Sequence, residues 1–386
     1  MSESAIFRDK SKLSPRYVPE ELPHRQAQIQ QIVHAFSDAT KDPDKFPLAI
    51  LQVIGAAGIG KTSTVIRASK IVEELFAKSR LSLKTAYINL KLQGGNKFAI
   101  YRLLLERIAP ELPAQGLSAE EMLRYLLQYL RNNRQNAFII MDEIDYLIKT
   151  SKETGIIYDL TRLNEYEPDK PCNIKGVVFI ARSMEFYGKL DPAELSTLGR
   201  IPMKFYPYTL QQVSDILEDR AAQAFTPNAI GSDVIDKVAS ITTSAEVNSD
   251  VRYALDLLLY AGNLAESQGT GRVMLDHIRK VHGQMHPSIT TEEIEQLSKS
   301  HIVILMALVR ALKSKKKPYV ELKDVRLYAS ELAEQLGMKK IDIENYLEDL
   351  NVRKLVDIKS LKAIGLHGAS LQELEPVLMR KVKGEK

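Results

Sequence analysis

Residues 55–62 read Gly-Ala-Ala-Gly-Ile-Gly-Lys-Thr. The spacing is that of the phosphate loop G-x-x-x-x-G-K-[ST]. Glycines let the backbone fold back so that its N–H groups approach phosphate oxygens. A helix that starts after such a loop offers unpaired N–H groups and the positive end of its dipole. Gly58, Ile59, Gly60, Lys61, Thr62 and Ser63 are therefore candidate nucleotide ligands. Lys61 would bridge the β- and γ-phosphates, and the Thr62 hydroxyl would sit on Mg²⁺. A second stretch, AFIIMDEIDYL at residues 137–147, is an apolar run that ends in two adjacent carboxylates, Asp142 and Glu143. Asp142 fits the Mg²⁺ partner of Thr62, and Glu143 fits the base that polarises an attacking water.

These side chains need a scaffold that brings them together. The runs Leu48–Ile54, Thr85–Leu90, Ala137–Met141 and Val177–Ala181 are short, apolar and rich in β-branched residues, as buried strands are. Helical patterns lie between them at Ser63–Ala77, Phe98–Ile108 and Ala119–Asn132. This alternation predicts an α/β fold with a parallel sheet. Ligands of such sheets collect at the carboxyl ends of the strands, where the loop and the carboxylates would meet. From Thr209 to His282 the pattern is helical only, and Asn248, Ser249 and Asp250 are good caps for the helix that Arg252 opens. An arginine in a first turn opposes the helix dipole, so an anion facing Arg252 would account for it.

The last stretch, from Thr291, predicts helices at Ile302–Leu312, Val325–Leu336 and Ile341–Leu350, with Gly337 ending the second. Leu355–Ile358 and Leu371–Leu374 are expected to be strands around a turn at Ser360–Ser370, which makes a winged helix. In helix-turn-helix units the later helix enters the major groove. Lys339, Lys340 and Asn345 would then face duplex DNA from the third helix, and Lys359, Lys362 and His367 from the wing. The same architecture also docks proteins. Residues 291–386 carry 18 Lys and Arg against 15 Asp and Glu, and the third helix holds Asp342, Glu344, Glu348 and Asp349. Taken alone, these residues leave DNA and protein both open as partners.

Composition sets the outer bounds. The 386 residues are 45% hydrophobic and 26% charged, with a net charge of +4, as expected of a globular chain of two or three domains. The single cysteine, Cys172, excludes a disulfide framework and predicts a reducing compartment. No apolar run reaches the ~20 residues of a membrane span, and the first residues lack the apolar core of a signal peptide. A cytoplasmic, nucleoid-associated protein without membrane partners is expected.

The phosphate loop, the D-E-I-D strand end and the segments SPRYVPEELPHRQAQIQQI (14–32), FYPYTLQQVSDILEDRA (205–221) and SDVRYALDLLLYAGNLAE (249–266) together resemble AAA+ ATPases. Within them, the chain is similar to the archaeal replication initiators of the origin-recognition-complex type, related to the cell-division-control helicase loaders. The resemblance implies an AAA+ base at residues 1–205, an all-α lid at 206–290 and a winged helix at 291–386. It implies ATP/ADP with Mg²⁺ as cofactors, the nucleotide setting the angle between base and lid. It further implies double-stranded origin DNA, the MCM replicative helicase and other initiator copies on DNA as partners. Tyr208 and Arg220 stand where relatives hold the base and ribose, and Arg252 where a lid arginine reaches the γ-phosphate. Residues 89–107 stand where initiators insert a helix that touches duplex DNA, which points to Lys91, Lys97 and Arg102; a plain surface helix is the alternative. Two places depart from the pattern: Arg182 replaces the asparagine of the first sensor, and Ala193 replaces the finger arginine, with Arg200 seven residues on. Slow ATP hydrolysis is therefore expected. The alternative reading is a signalling-type ATPase whose winged helix regulates transcription or docks proteins.

Overall fold

The computed structural model describes residues 5–150, 155–199, 201–285, 297–315, 319–338, 341–353, 355–366 and 371–383. The chain divides into two compact units, one of residues 7–227 and 235–256, the other of residues 1–6, 228–234 and 257–386.

The first unit is built on a parallel sheet of β1 (Ala49–Ile54), β2 (Ser82–Asn89), β3 (Gln135–Asp142), β4 (Ile174–Ala181) and β5 (Met203–Lys204), in the order β2-β3-β4-β1-β5. The four expected strands are present, each within a few residues of its predicted limits. β5 has no periodicity to betray it, because only Met203 and Lys204 pair, with Val53 and Ile54. β4 is buried along its whole length and β3 along nearly all of it. Strands covered on both faces read as continuous apolar runs rather than alternating ones. On one face lie α1 (Gln26–Ser37) and α2 (Lys61–Lys78). There Phe36 packs edge-to-face on Phe138 and lies against Gly176, where an added Cβ would stand 2.0 Å from the Phe36 ring. Opposite are α3 (Lys97–Ile108) and α4 (Ala119–Asn132), whose buried leucines enter the core with Tyr101. A capping box between Ser118 and Glu121 starts α4.

Two further helices, α5 (Ile144–Thr150) and α6 (Gly155–Thr161), follow β3, and α7 (Pro192–Leu198) precedes β5. α8 (Leu210–Ala224) opens on a Thr209–Gln212 capping box. The unit also takes in most of α9 (Ser232–Thr242) and the first turns of α10 (Val251–Ser267). Parallel strands end on one edge of the sheet. Asn89, Glu143, Arg182 and Gly55 consequently follow one another along that edge.

The second unit contains α11 (Leu275–Met285), α12 (Lys299–Lys315), α13 (Leu322–Gln335), α14 (Ile343–Val352), the antiparallel hairpin of β6 (Val356–Ser360) and β7 (Ala363–Leu366), and α15 (Leu371–Lys383). α12 is buried all round from Ile302 to Val309. The three predicted helices and a wing are therefore present, but the wing is smaller than expected. Its second strand is Ala363–Leu366, and Leu371–Leu374 begins a helix. Two residues, Leu361 and Lys362, make the turn, and Val320 bridges to Ile364 as a third short edge. The 3.6-residue spacing of Leu371, Leu374 and Leu378, with Leu374 and Leu378 buried, outweighs the local strand signal. Among the described residues no helix is long and apolar enough to cross a membrane.

Candidate nucleotide site and nucleic-acid surfaces

The phosphate loop joins β1 to α2. Gly58 and Gly60 hold left-handed backbone, with φ of 72° and 85°. Both are closely packed: a Cβ on Gly58 would lie 1.9 Å from Asp250 Oδ1, and one on Gly60 2.7 Å from the Tyr208 hydroxyl. Gly60 caps α2, so the first N–H groups of the helix remain free to receive an anion. Lys61 Nζ is buried and donates to the carbonyls of Gly55 and Ala56, each at 2.6 Å. Burial draws its pKa down to about 8; the Asp142 carboxylate opposes the shift and the Arg252 guanidinium adds to it. A desolvated ammonium facing only carbonyls, beside free helix N–H groups, fits a polyphosphate.

Asp142 closes the cation corner. It is buried, and its Oδ2 accepts from Thr62 Oγ1 at 2.8 Å and from the Tyr87 hydroxyl at 2.9 Å. Burial, reinforced by Asp142, raises the Tyr87 phenol pKa, so Tyr87 stays a proton donor. A hydroxyl and a carboxylate on one point form the hard oxygen set that suits Mg²⁺ with phosphate. Glu143 occupies the next position with φ of 60°. Its two oxygens each lie 3.2 Å from Arg182 Nη2, at the end of the neighbouring strand.

The walls come from farther along the chain. Asp250 Oδ1 caps α10 by accepting from the N–H groups of Arg252 and Tyr253, and the Val251 N–H donates to the Gly58 carbonyl. α10 thus begins on the phosphate loop, with Arg252 exposed in its first turn and lining the cavity. Asn248 and Ser249 take left-handed backbone, and Ser249 donates to the Tyr208 carbonyl at 2.8 Å. Tyr208 is buried; Arg220 lines the cavity but gives its guanidinium to the carbonyls of Lys12 and Tyr17. Arg220 therefore holds the segment whose Pro15, Pro19, Leu22 and Pro23 form an apolar wall facing Ile216 and Leu255. Such a wall suits a nucleobase.

Sequence reasoning missed Arg25. It is 6% exposed, stacks on Tyr208 at 4.0 Å and on Phe205 at 4.8 Å, and donates to the Ile59 carbonyl at 2.8 Å. Burial lowers its pKa. Its segment, residues 14–32, entered the sequence reading only through the family resemblance, and it is the fold that brings Arg25 to the phosphate loop.

The expected nucleic-acid residues fall into three groups. Asn345 on α14 and Lys362 in the wing turn are exposed, as are Lys91 and Arg102 in the first unit. Lys91 lies in the turn after β2, 5.6 Å from the Tyr146 ring, and Arg102 pairs loosely with Glu106 at 3.3 Å. Lys97 corrects the expectation: its ammonium is held 2.6 Å from Asp159 and 3.0 Å from Glu120, with Tyr101 donating to the same Asp159. It braces α3 rather than facing solvent. Lys339, Lys340, His367 and Arg200 lie outside the described residues, and Lys359 is described only through its place in β6. Of the four acids counted on α14, Glu344 pairs with Arg326, and Asp349 with Arg353 at 2.6 Å and with His301 at 2.8 Å, while Asp342 caps the helix by accepting from the Asn345 N–H.

Comparison with known proteins places this geometry. Residues 48–188 match the AAA domain family, and residues 214–283 the family described as the Cdc6 AAA+ ATPase-type lid domain. The ORC1-type DNA replication protein 1 of Sulfurisphaera tokodaii is 31% identical over 91% of this chain and 86% of its own length. Its namesake in Aeropyrum pernix is 30% identical over 80% of this chain and 76% of its own. Among solved structures, Cdc6p from Pyrobaculum aerophilum aligns with a TM-score of 0.72 at 26% identity, covering 98% of this chain and 99% of that one. The Aeropyrum pernix ORC1 protein in complex with DNA aligns with a TM-score of 0.65 at 26% identity, covering 98% of each.

Proposed function

The chain belongs to the family of ORC1-type DNA replication proteins, and from that premise we propose that it is an ATP-binding initiator that recognises duplex DNA at replication origins. The observation that carries this is the arrangement of Lys61, Thr62 and Asp142 directly beneath the start of α10. The phosphate loop and Arg252 would hold a triphosphate between them. Thr62 and Asp142 would hold Mg²⁺, which would supply charge neutralisation at the phosphates. The apolar wall and Tyr208 take the base. Loss of the γ-phosphate removes the anion facing Arg252, which makes ATP against ADP a switch for the start of α10.

Duplex contact is supported by the three helices and wing of the second unit. With Glu344 and Asp349 paired, α14 repels phosphate less than its sequence suggests. Lys362 in the wing turn, with Lys339 and Lys340 before α14, would contact phosphates, while Lys91 and Arg102 give a second contact that positions the duplex without reading it. The DNA-bound Aeropyrum pernix relative supports the same reading. Recruitment of the MCM helicase is the downstream role we assign, and hydrolysis is slow because Ala193 replaces a finger arginine, a group worth ~10³–10⁵ in rate. Sequencing the genomic fragments that co-purify with the protein tests the reading: enrichment at one or a few replication start sites is expected, and uniform coverage would contradict it.

A further inference from the structure

From its cap at Asp342 to its last residue, Val352, α14 carries four acids and no lysine or arginine. Three of the four have partners inside the unit: Asp342 accepts from the Asn345 N–H, Glu344 pairs with Arg326 of α13, and Asp349 pairs with Arg353 and with His301 of α12. Glu348 does not. It is exposed, and among the described residues its carboxylate has no partner. Asn345 is exposed as well, and its side-chain amide is equally without one among those residues. The inner side of the helix is fixed by the buried Leu347 and Leu350, and by Tyr346, which meets the His301 ring edge-to-face at 4.7 Å. Side chains three apart lie on one helix face, so Asn345 and Glu348 stand together on the outer side.

A face without a cation adds nothing to the sequence-independent attraction of phosphate, and a free carboxylate there works against it. What the two side chains offer is hydrogen-bond chemistry of two kinds. A carboxylate only accepts. In the major groove it matches the cytosine N4 amino group and is opposed by the acceptors of guanine and thymine. An asparagine amide both donates and accepts, and pairs with adenine N6 and N7.

We propose that Glu348 and Asn345 are specificity-determining residues of the second unit: Glu348 selects a cytosine and Asn345 an adenine, read in the major groove. The helix rises about 4.5 Å between them, against about 3.4 Å per base pair, so the two contacts fall one or two base pairs apart. Cations elsewhere supply affinity, and α14 supplies discrimination. This inference rests on the duplex-binding reading above.

The test is selection from a pool of random-sequence duplexes by the full chain at one fixed salt concentration. The selected duplex and its single-base-pair substitutions are then titrated. The native chain should enrich a site in which exchanging one C·G pair costs about tenfold in affinity. Glu348→Gln should weaken binding to that site and tighten binding to non-cognate duplex. The preference at that position should then pass from cytosine to adenine, which a glutamine amide reads. Asn345→Ala should erase the preference for the neighbouring adenine alone. A carboxylate that merely repels phosphate behaves differently: Glu348→Gln would tighten every sequence alike and leave the selected site as it was. That result would overturn the inference while leaving duplex binding intact. An unchanged site bound with unchanged affinity would overturn it too, and would turn this face toward a protein. If the native chain held no duplex from the pool, the duplex-binding reading itself would fail and this inference with it.

Discussion

Lys61, Thr62 and Asp142 show how few side chains the chemistry needs. Two come from one loop–helix junction and the third from the end of β3, two places along the sheet from β1, so short stretches of sequence disclosed them. Their hydrogen bonds add what spacing could not: Asp142 already accepts from Thr62 and Tyr87, which fixes the hydroxyl where Mg²⁺ would sit. Thr62→Val keeps the shape and removes the oxygen. Its affinity for Mg-ATP should fall by ~10–100-fold, the usual cost of disturbing a metal shell, and chelation of Mg²⁺ should weaken the variant little further. Equal Mg²⁺ dependence in native and variant chains would place the metal elsewhere. Arg25 and the Arg182–Glu143 pair were not legible. Their partners lie dozens of residues away in the chain, and no local pattern marks such a contact.

Elements were legible where periodicity runs long. α4 matches its predicted limits, because an amphipathic stripe and a capping box coincide there. β5 and the wing were harder: a two-residue strand has no period, and Leu371–Leu374 belongs to a helix whose full length was not recognised. Caps carry predictions of their own. α11 begins beside His277, which is 2% exposed. Its Nδ1 accepts from the Met274 N–H at 3.0 Å, leaving Nε2 to donate to Gln268 at 3.1 Å. That pattern requires neutral imidazole, and burial, with Lys280 adding, holds the pKa below its ordinary 6.5. The unfolded chain takes up the proton near 6.5 and the folded one only at lower pH. The contribution is therefore complete above pH 6.5 and is lost as pH falls through the window beneath it. Thermal melting from pH 7 to 5 should lower the native midpoint more than that of His277→Gln, whose amide offers an acceptor without titrating. Parallel curves would remove His277 from the cap.

At the scale of the molecule, one compact unit holds the nucleotide site and the other the helices and wing. The three-part order, base, lid and wing, was readable as a change from strand–helix alternation to helices alone and then to helices followed by a hairpin. Which residues would touch DNA was less readable, since ion pairing decides it: Lys97 is consumed by Asp159 and Glu120, while Arg326 and Arg353 quiet acids that looked repulsive. The central claim, that the loop at Gly55–Thr62 grips a triphosphate, is tested most directly by equilibrium titration of fluorescent ATP into the native chain and Lys61→Ala, with duplex DNA titrated into both at low salt. The account predicts that Lys61→Ala loses ATP binding by at least a hundredfold yet still holds the duplex. ATP binding that is unchanged in the variant would contradict it.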